Sequence, residues 1–403
     1  MRLPWIQDGI ERRAAGIEDP LERLRYLRQS ADRAAKPIRI FKWQISQDFW
    51  KTRRTWIVAG LAAITMIAWR PGHSTSARAA VAAKPVTPPP VVRNRPVVAP
   101  SIPAPSSVWL VETRDGVENY SNGLRIDNKY AVGNEPREKY AVYGYTQTGL
   151  GIVDWKTKPA GIVYHTTESL LAPFEAGQNR WLVRIGSQVL EYVKLKRCYH
   201  FVIDRFGRVF RVVNESDRAN HAGNSIWGDD KGAYVNLNDS FIGISFESAT
   251  ASEDRKSEIA TPAQIHSGRV LTEMLRAKYG IPATDCVTHG QVSVNPVNML
   301  IGYHTDWGGS FPFAEMGLSD NYGIPPAALF AFGFGYDETY VKITGTRVWQ
   351  TLLQAEDLIR RQASNVGLAP SRYRSSLQTR YREIMTALKS KSPEKEKSDE
   401  IER

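Results

Sequence analysis

Histidines gather in the middle of this 403-residue chain. His73 lies in a proline-rich stretch and His266 inside a predicted helix, while His165, His200, His221, His289 and His304 are spread through one central unit. Five imidazoles in one domain exceed what packing usually needs. His165 ends an apolar run at VYHTTES and His289 ends another at CVTHG, so each is expected at the tip of a strand. A neutral imidazole there is well placed to bind zinc, which in catalytic sites takes three His nitrogens or carboxylate oxygens from protein and one water.

The elements that must carry these residues can be read from pattern. AGIVYH reads as a strand, YHFVIDRFGRVFRVV as a hairpin and FIGISFES as a further strand. A long helix opens at Thr261-Pro262-Ala263-Gln264, a capping box with proline in the first turn. Leu271, Met274 and Leu275 keep helical spacing, and Gly280 with Pro282 beyond it closes the helix. Strands followed by helices in one unit imply α/β or α+β packing. Residues 108–155 alternate apolar and polar residues around an Asp115-Gly116 turn signal and read as a β-rich lead-in. Beyond residue 320, Val348, Leu352, Ala355 and Ile359 mark an amphipathic helix, and a second helical stretch runs near 377–388. The region 321–388 is thus a helical extension, and 389–403 is a charged tail too poor in apolar residues to fold.

The first hundred residues have a different character. The stretch 55–70 contains WIVAGLAAITMIAW, uncharged and bounded by arginines. It is short for a ~30 Å bilayer core, but terminal tryptophans and snorkelling arginines extend it, and it reads as a single membrane span. Residues 1–54 hold 13 Lys+Arg and 7 Asp+Glu, which favours a cytoplasmic location for this arm and an extracytoplasmic one for the bulk of the chain. Residues 71–107, with nine prolines and no acidic residue, form an extended linker. The net charge of +11 suits an acidic polymer as partner, and the composition excludes a fully disordered chain, a collagen and a multi-span transporter. Cys198 and Cys286 form at most one bridge and are as readily two separate thiols.

Read together, AGIVYHTTES, CYHFVIDRFGRVFRVV, NHAGNS, NDSFIGISFES, ATPAQIHSGRVLTEMLRAKYGI, VTHG and HTDWGG occur in an order that resembles the zinc amidases that cut peptidoglycan. That family includes phage lysozyme-type amidases and animal peptidoglycan-recognition proteins, and the resemblance covers roughly residues 156–315 within a domain read as 156–320. It implies a mixed central β-sheet flanked by helices, and zinc held by His165, His289 and a third ligand. Asp306 best matches the third ligand. The stretch between His289 and Asp306 is longer than usual and Trp307 stands where proline is expected, so His304 is the alternative.

The same resemblance puts His304 where relatives place an oxyanion-steadying lysine, Tyr199 beside the substrate carbonyl, and His221 and Asn224 in a loop lining the substrate groove. Ser245 occupies the position of a glutamate found in several family enzymes. Glu247, two residues on and on the same strand face, is then the candidate general base. The resemblance and the apolar segment together imply a membrane-tethered N-acetylmuramoyl-L-alanine amidase on the periplasmic side of the inner membrane. Its expected partner is peptidoglycan or its muropeptide fragments, with no nucleic acid. The alternatives from other classes are a peptidoglycan-recognition module without hydrolysis and an envelope scaffold.

Overall fold

The computed structural model describes residues 107–145, 150–250 and 260–390. The basic arm, the apolar segment 55–70, all but the end of the linker and nearly all of the charged tail lie outside the described residues. Among the described residues no helix is long and apolar enough to cross a membrane.

The lead-in forms β1 (Leu110–Arg114), β2 (Val117–Tyr120), β3 (Arg125–Asp127), β4 (Tyr140–Tyr143) and β5 (Ile152–Lys156). Asp115 and Gly116, at φ 53° and 77°, make the tight turn between β1 and β2 that the sequence predicts. Next come β6 (Gly161–Thr166), helix α1 (Asn179–Lys196), β7 (Phe201–Ile203), β8 (Val209–Arg211), β9 (Ile226–Gly228) and β10 (Ala233–Val235). Helix α1 is not anticipated from the sequence; it buries Leu182, Gly186, Leu190 and Val193 on one face and turns its charged residues outward. The short α2 (Leu237–Ser240) leads into β11 (Phe241–Phe246), and α3 (Pro262–Tyr279) follows. Thr261 caps α3 as expected: its hydroxyl accepts from Gln264 N–H, and the Gln264 side chain accepts from Thr261 N–H.

The chain then adds β12 (Cys286–Thr288), α4 (His289–Val292), the two-residue strands β13 (Val294–Asn295) and β14 (Leu300–Ile301), and four C-terminal helices. These are α5 (Ala327–Phe332), α6 (Glu338–Thr344), α7 (Thr346–Asn365) and α8 (Pro370–Ser390).

Eight strands form one sheet in the order β1-β2-β3-β8-β7-β11-β6-β12. Its centre is parallel: β11 runs parallel to both β6 and β7, and β12 parallel to β6. Parallel strands are covered on both faces, and β6 and β11 are accordingly buried at all six positions each. Because β6 and β12 start together, their C-terminal ends bring His165 and His289 to the same edge of the sheet. The lead-in is not a separate body. Strands β1, β2 and β3 extend this sheet, while β4 and β5 join β10 and β9 in a second, antiparallel one.

A single core cluster links Ile162 and Ile244 of the sheet, Leu271, Met274 and Leu275 of α3, and Val348, Leu352, Ala355, Tyr381 and Ile384 of the C-terminal helices. Three of the four positions read from the sequence as the apolar face of α7 are therefore buried in the same interior as the sheet, while Ile359 packs with Tyr373 and Leu377 of α8 in a separate cluster. The two cysteines are free thiols, Cys286 fully buried.

The second sheet is tied to the first by Trp227, whose indole N–H donates to the buried Asp285 carboxylate at 3.0 Å. Burial, reinforced by Asp229, raises the Asp285 pKa far above the ordinary carboxylate range. A carboxyl group raised on folding holds its proton in the native state and loses it in the unfolded chain, so stability falls as pH rises from the unfolded pKa towards the folded one. Asp285→Asn keeps an acceptor for Trp227 and removes this charge cost. The substituted protein is expected to gain on the order of 1 kcal/mol at pH 8 over wild type and much less at pH 4, read from denaturant melts at the two pH values.

Candidate metal centre

Three side chains meet at the C-terminal edge of the parallel strands. His165 is the fifth residue of β6, His289 follows directly on β12, and Asp306 returns from the loop beyond β14. Each is at most 5% exposed. The His289 Nδ1 lies 2.9 Å from one Asp306 oxygen and the His165 Nδ1 3.3 Å from the other. The imidazole centroids are 4.5 Å apart, and one donor atom from each of the three residues falls within 4.8 Å of the others.

The insertion between His289 and Asp306 folds into the β13–β14 hairpin. Gly302 N–H donates to Ser293 O across its base, which returns the chain to the site, and Gly290 N–H then donates to Asp306 O at 2.9 Å. A side chain at Gly290 would meet the Gly308 Cα at 2.7 Å, so the ligand loops approach this closely because residue 290 is glycine. Trp307 has φ 54°, a value closed to proline, whose ring fixes φ near −65°. Its indole N–H donates to His165 O at 2.9 Å, and Tyr322 Oη donates to Trp307 O, so the departure from the family pattern braces the site.

The electrostatics agree with a cation site. Burial and the neighbouring His289 press the His165 imidazole down to about 4, so it is neutral at physiological pH. Burial opposes charge on Asp306, but His289 and the close imidazole contacts of both histidines outweigh it and hold the carboxylate well below its usual range. The same carboxylate raises His289 against its own burial. His165 Nε2 is engaged by His221 Nδ1 at 3.1 Å and His289 Nε2 by Ala222 O at 3.4 Å, so both Nδ1 atoms face Asp306. Two imidazole nitrogens and a carboxylate that converge in this way repel one another unless a proton or a cation lies among them. Two nitrogens and one oxygen on an otherwise dry set are donors that zinc accepts.

The other expected residues divide between the site and its surroundings. His304 stacks on His289 with centroids 4.6 Å apart, and it groups with Asp306 and Glu168 but not with the pair of histidines. Asp306, not His304, therefore completes the three-residue set. Burial and His289 lower the His304 pKa, which leaves a neutral imidazole able to donate a hydrogen bond without bringing a fixed charge. Tyr199 packs its ring 5.0 Å from His165 and donates to Thr166 O at 3.4 Å; burial and Asp306 raise its pKa, so the hydroxyl keeps its proton.

His221, expected in the substrate loop, is 7% exposed, and its Nδ1 lies 3.1 Å from His165 Nε2. Asn224 is exposed, and its carbonyl accepts from Val294 N–H. His200, adjacent to Tyr199, is fully buried and accepts from Gly243 N–H. Ser245 pairs in register with His165, and among the described residues its buried hydroxyl faces Tyr199 without a hydrogen bond of normal geometry. Glu247 turns towards α1: its carboxylate accepts from Arg205 N–H at 3.1 Å and faces Gly186, with no hydrogen bond to the three-residue set.

One carboxylate escaped the sequence reading. Glu168, three residues after His165, has a left-handed backbone at φ 51° and brings its side chain within 4.8 Å of donor atoms of both His304 and Asp306. Its pKa is raised by burial and then by Asp306. The available signal was its place in HTTES, where a carboxylate follows a ligand histidine by one short loop.

A buried pair of histidines with one carboxylate, with the partly exposed Glu168 and His304 beside it, is a donor set that could hold a metal ion such as zinc. Residues 155–309 match the family model of N-acetylmuramoyl-L-alanine amidase. Among solved structures the chain is similar to the N-acetylmuramoyl-L-alanine amidase LysC from Clostridium intestinale, at 22% identity and TM-score 0.25 over 46% of this chain and 94% of that one. It is also similar to AmiD from E. coli, solved with an anhydro-N-acetylmuramic acid peptide, at 20% identity and TM-score 0.33 over 66% and 96%. The Drosophila peptidoglycan-recognition protein PGRP-LB follows at 14% identity and TM-score 0.25 over 40% and 79%. At these values none of the three assigns a role to a residue here. No curated protein matches the chain.

One zinc per chain is expected by elemental analysis of the purified protein. Asp306→Ala should lose it, whereas His304→Ala should retain it; the reverse pattern would make His304 the third ligand.

Proposed function

We propose that the protein is a zinc-dependent N-acetylmuramoyl-L-alanine amidase, hydrolysing the amide between the lactyl group of N-acetylmuramic acid and the first L-alanine of the stem peptide. The observation that carries this reading is the buried His165, His289 and Asp306 set within the segment that matches the amidase family. His165, His289 and Asp306 would hold the metal. Zinc supplies Lewis acidity towards a carbonyl and towards water in such a site.

The chain's own groups account for the remaining work. Glu168, on the open side of the set, is better placed than Glu247 to take a proton from attacking water, because Glu247 is committed to Arg205 N–H. Tyr199 keeps its hydroxyl proton and can turn it from the long contact with Thr166 O to a developing oxyanion. A neutral His304 is a second donor on the same side. Asn224, exposed beside the site loop, is available to the substrate's peptide or sugar.

Residues 55–70 would anchor the chain in the inner membrane and the linker 71–107 would let the catalytic unit reach the wall from the periplasmic side. The basic surplus suits an acidic polymer such as peptidoglycan.

Two measurements test the proposal. In release of stem peptide from muropeptides, Glu168→Gln is expected to lower kcat by about 10²–10⁴-fold with zinc content unchanged. A base must be deprotonated, so wild-type activity should fall as pH drops through the raised pKa of Glu168, and this acid limb should vanish in the variant. Full activity in Glu168→Gln would return the role to another group, and no cleavage by the zinc-loaded wild type would leave a recognition module. Separately, deletion of residues 1–70 should move the protein from the membrane to the soluble fraction without changing turnover on soluble muropeptides.

A further inference from the structure

The loop 220–224 touches both histidines of the set from behind. His221 Nε2 meets Phe241 O at 3.3 Å, and a carbonyl can only accept, so this nitrogen carries the hydrogen. A neutral His221 therefore presents a lone pair at Nδ1. The atom facing that lone pair at 3.1 Å is His165 Nε2, which must then be the donor, and His165 keeps its own lone pair on Nδ1. One residue further along the loop, Ala222 O lies 3.4 Å from His289 Nε2 and imposes the same choice there.

The loop itself is held at this depth. The side-chain oxygen of Asn238 accepts from the N–H groups of both His221, at 3.0 Å, and Ala222, at 2.7 Å. On the sheet side, a Cβ at Gly243 would come within 2.6 Å of His221 Cγ, so the strand beneath must be glycine for the imidazole to sit flat on it.

We propose that the loop 220–224 is the positioning element of the metal centre: His221 and Ala222 each take the Nε2–H of one ligand histidine and so direct both Nδ1 lone pairs to the side of Asp306. The role rests on the zinc reading above. It differs from a place in the substrate groove, which requires an accessible His221, and it makes the Phe241 carbonyl the origin of a relay that runs through His221 to His165. Outer partners of this kind set ligand orientation and typically alter metal affinity by 10–100-fold.

The test uses the full-length protein purified in detergent and reads zinc affinity by chelator competition, together with the visible spectrum of the cobalt-substituted protein. His221→Phe keeps a ring but leaves His165 Nε2–H without an acceptor; it is expected to weaken zinc 10–100-fold and alter the cobalt spectrum. His221→Asn places an amide oxygen near the former Nδ1 and should restore affinity to within a few-fold of wild type. Equal affinity and identical spectra in wild type and His221→Phe would overturn the proposal, whereas a wild type that binds no zinc would defeat the underlying site reading instead.

Should His221→Phe fail to fold, nitrogen-15 histidine spectra of the zinc-loaded wild type at neutral pH give the answer directly. His165 and His221 are expected as Nε2–H tautomers, and an Nδ1–H form of either would sink the proposal.

Discussion

A carboxylate removed from water needs partners for its charge, and the centre of this protein is organised around that demand. Asp306 is 2% exposed and divides its two oxygens between His165 and His289. Its backbone carbonyl takes Gly290 N–H, and Thr166 N–H approaches the same side chain at 3.3 Å. The aspartate thus joins the ends of β6 and β12 to a loop more than a dozen residues further on. Removing it would leave two buried imidazole nitrogens without the carboxylate they converge on, whatever the consequence for catalysis.

The parallel strands supply the precision. Register between β6, β11 and β12 places His165, Ser245 and the start of α4 at one level, and main-chain pairing leaves little freedom to slip. Helix α1 and helix α3 cover the sheet, and the hairpin β13–β14 closes the long connection that the family pattern does not prepare for. Trp307 shows how a departure is absorbed. An indole N–H to the His165 carbonyl takes over the bracing of the ligand strand, at a backbone angle that a proline could not adopt.

The regions outside the family match are also structural parts of the same folded unit. The lead-in contributes edge strands to one sheet and half of the other, and Val348, Leu352 and Tyr381 of the C-terminal helices share a core cluster with Ile162 and Ile244. Burial of these apolar faces is the main force holding the extension to the sheet, since a helix with one apolar stripe is not stable alone in water.

What the sequence determined was mostly local. The apolar runs ending in His165 and His289, the Asp115-Gly116 turn, the Thr261 capping box and the apolar face of α7 all depend on neighbours within a few residues, and such signals survive in a one-dimensional reading. The convergence of Asp306 on both histidines, the withdrawal of Glu247 towards Arg205, the burial of His221 and the approach of Glu168 were decided only by tertiary structure. Each depends on where loops distant in sequence converge, and in a loop one backbone angle, such as φ 51° at Glu168, redirects a side chain in a way that no residue pattern encodes.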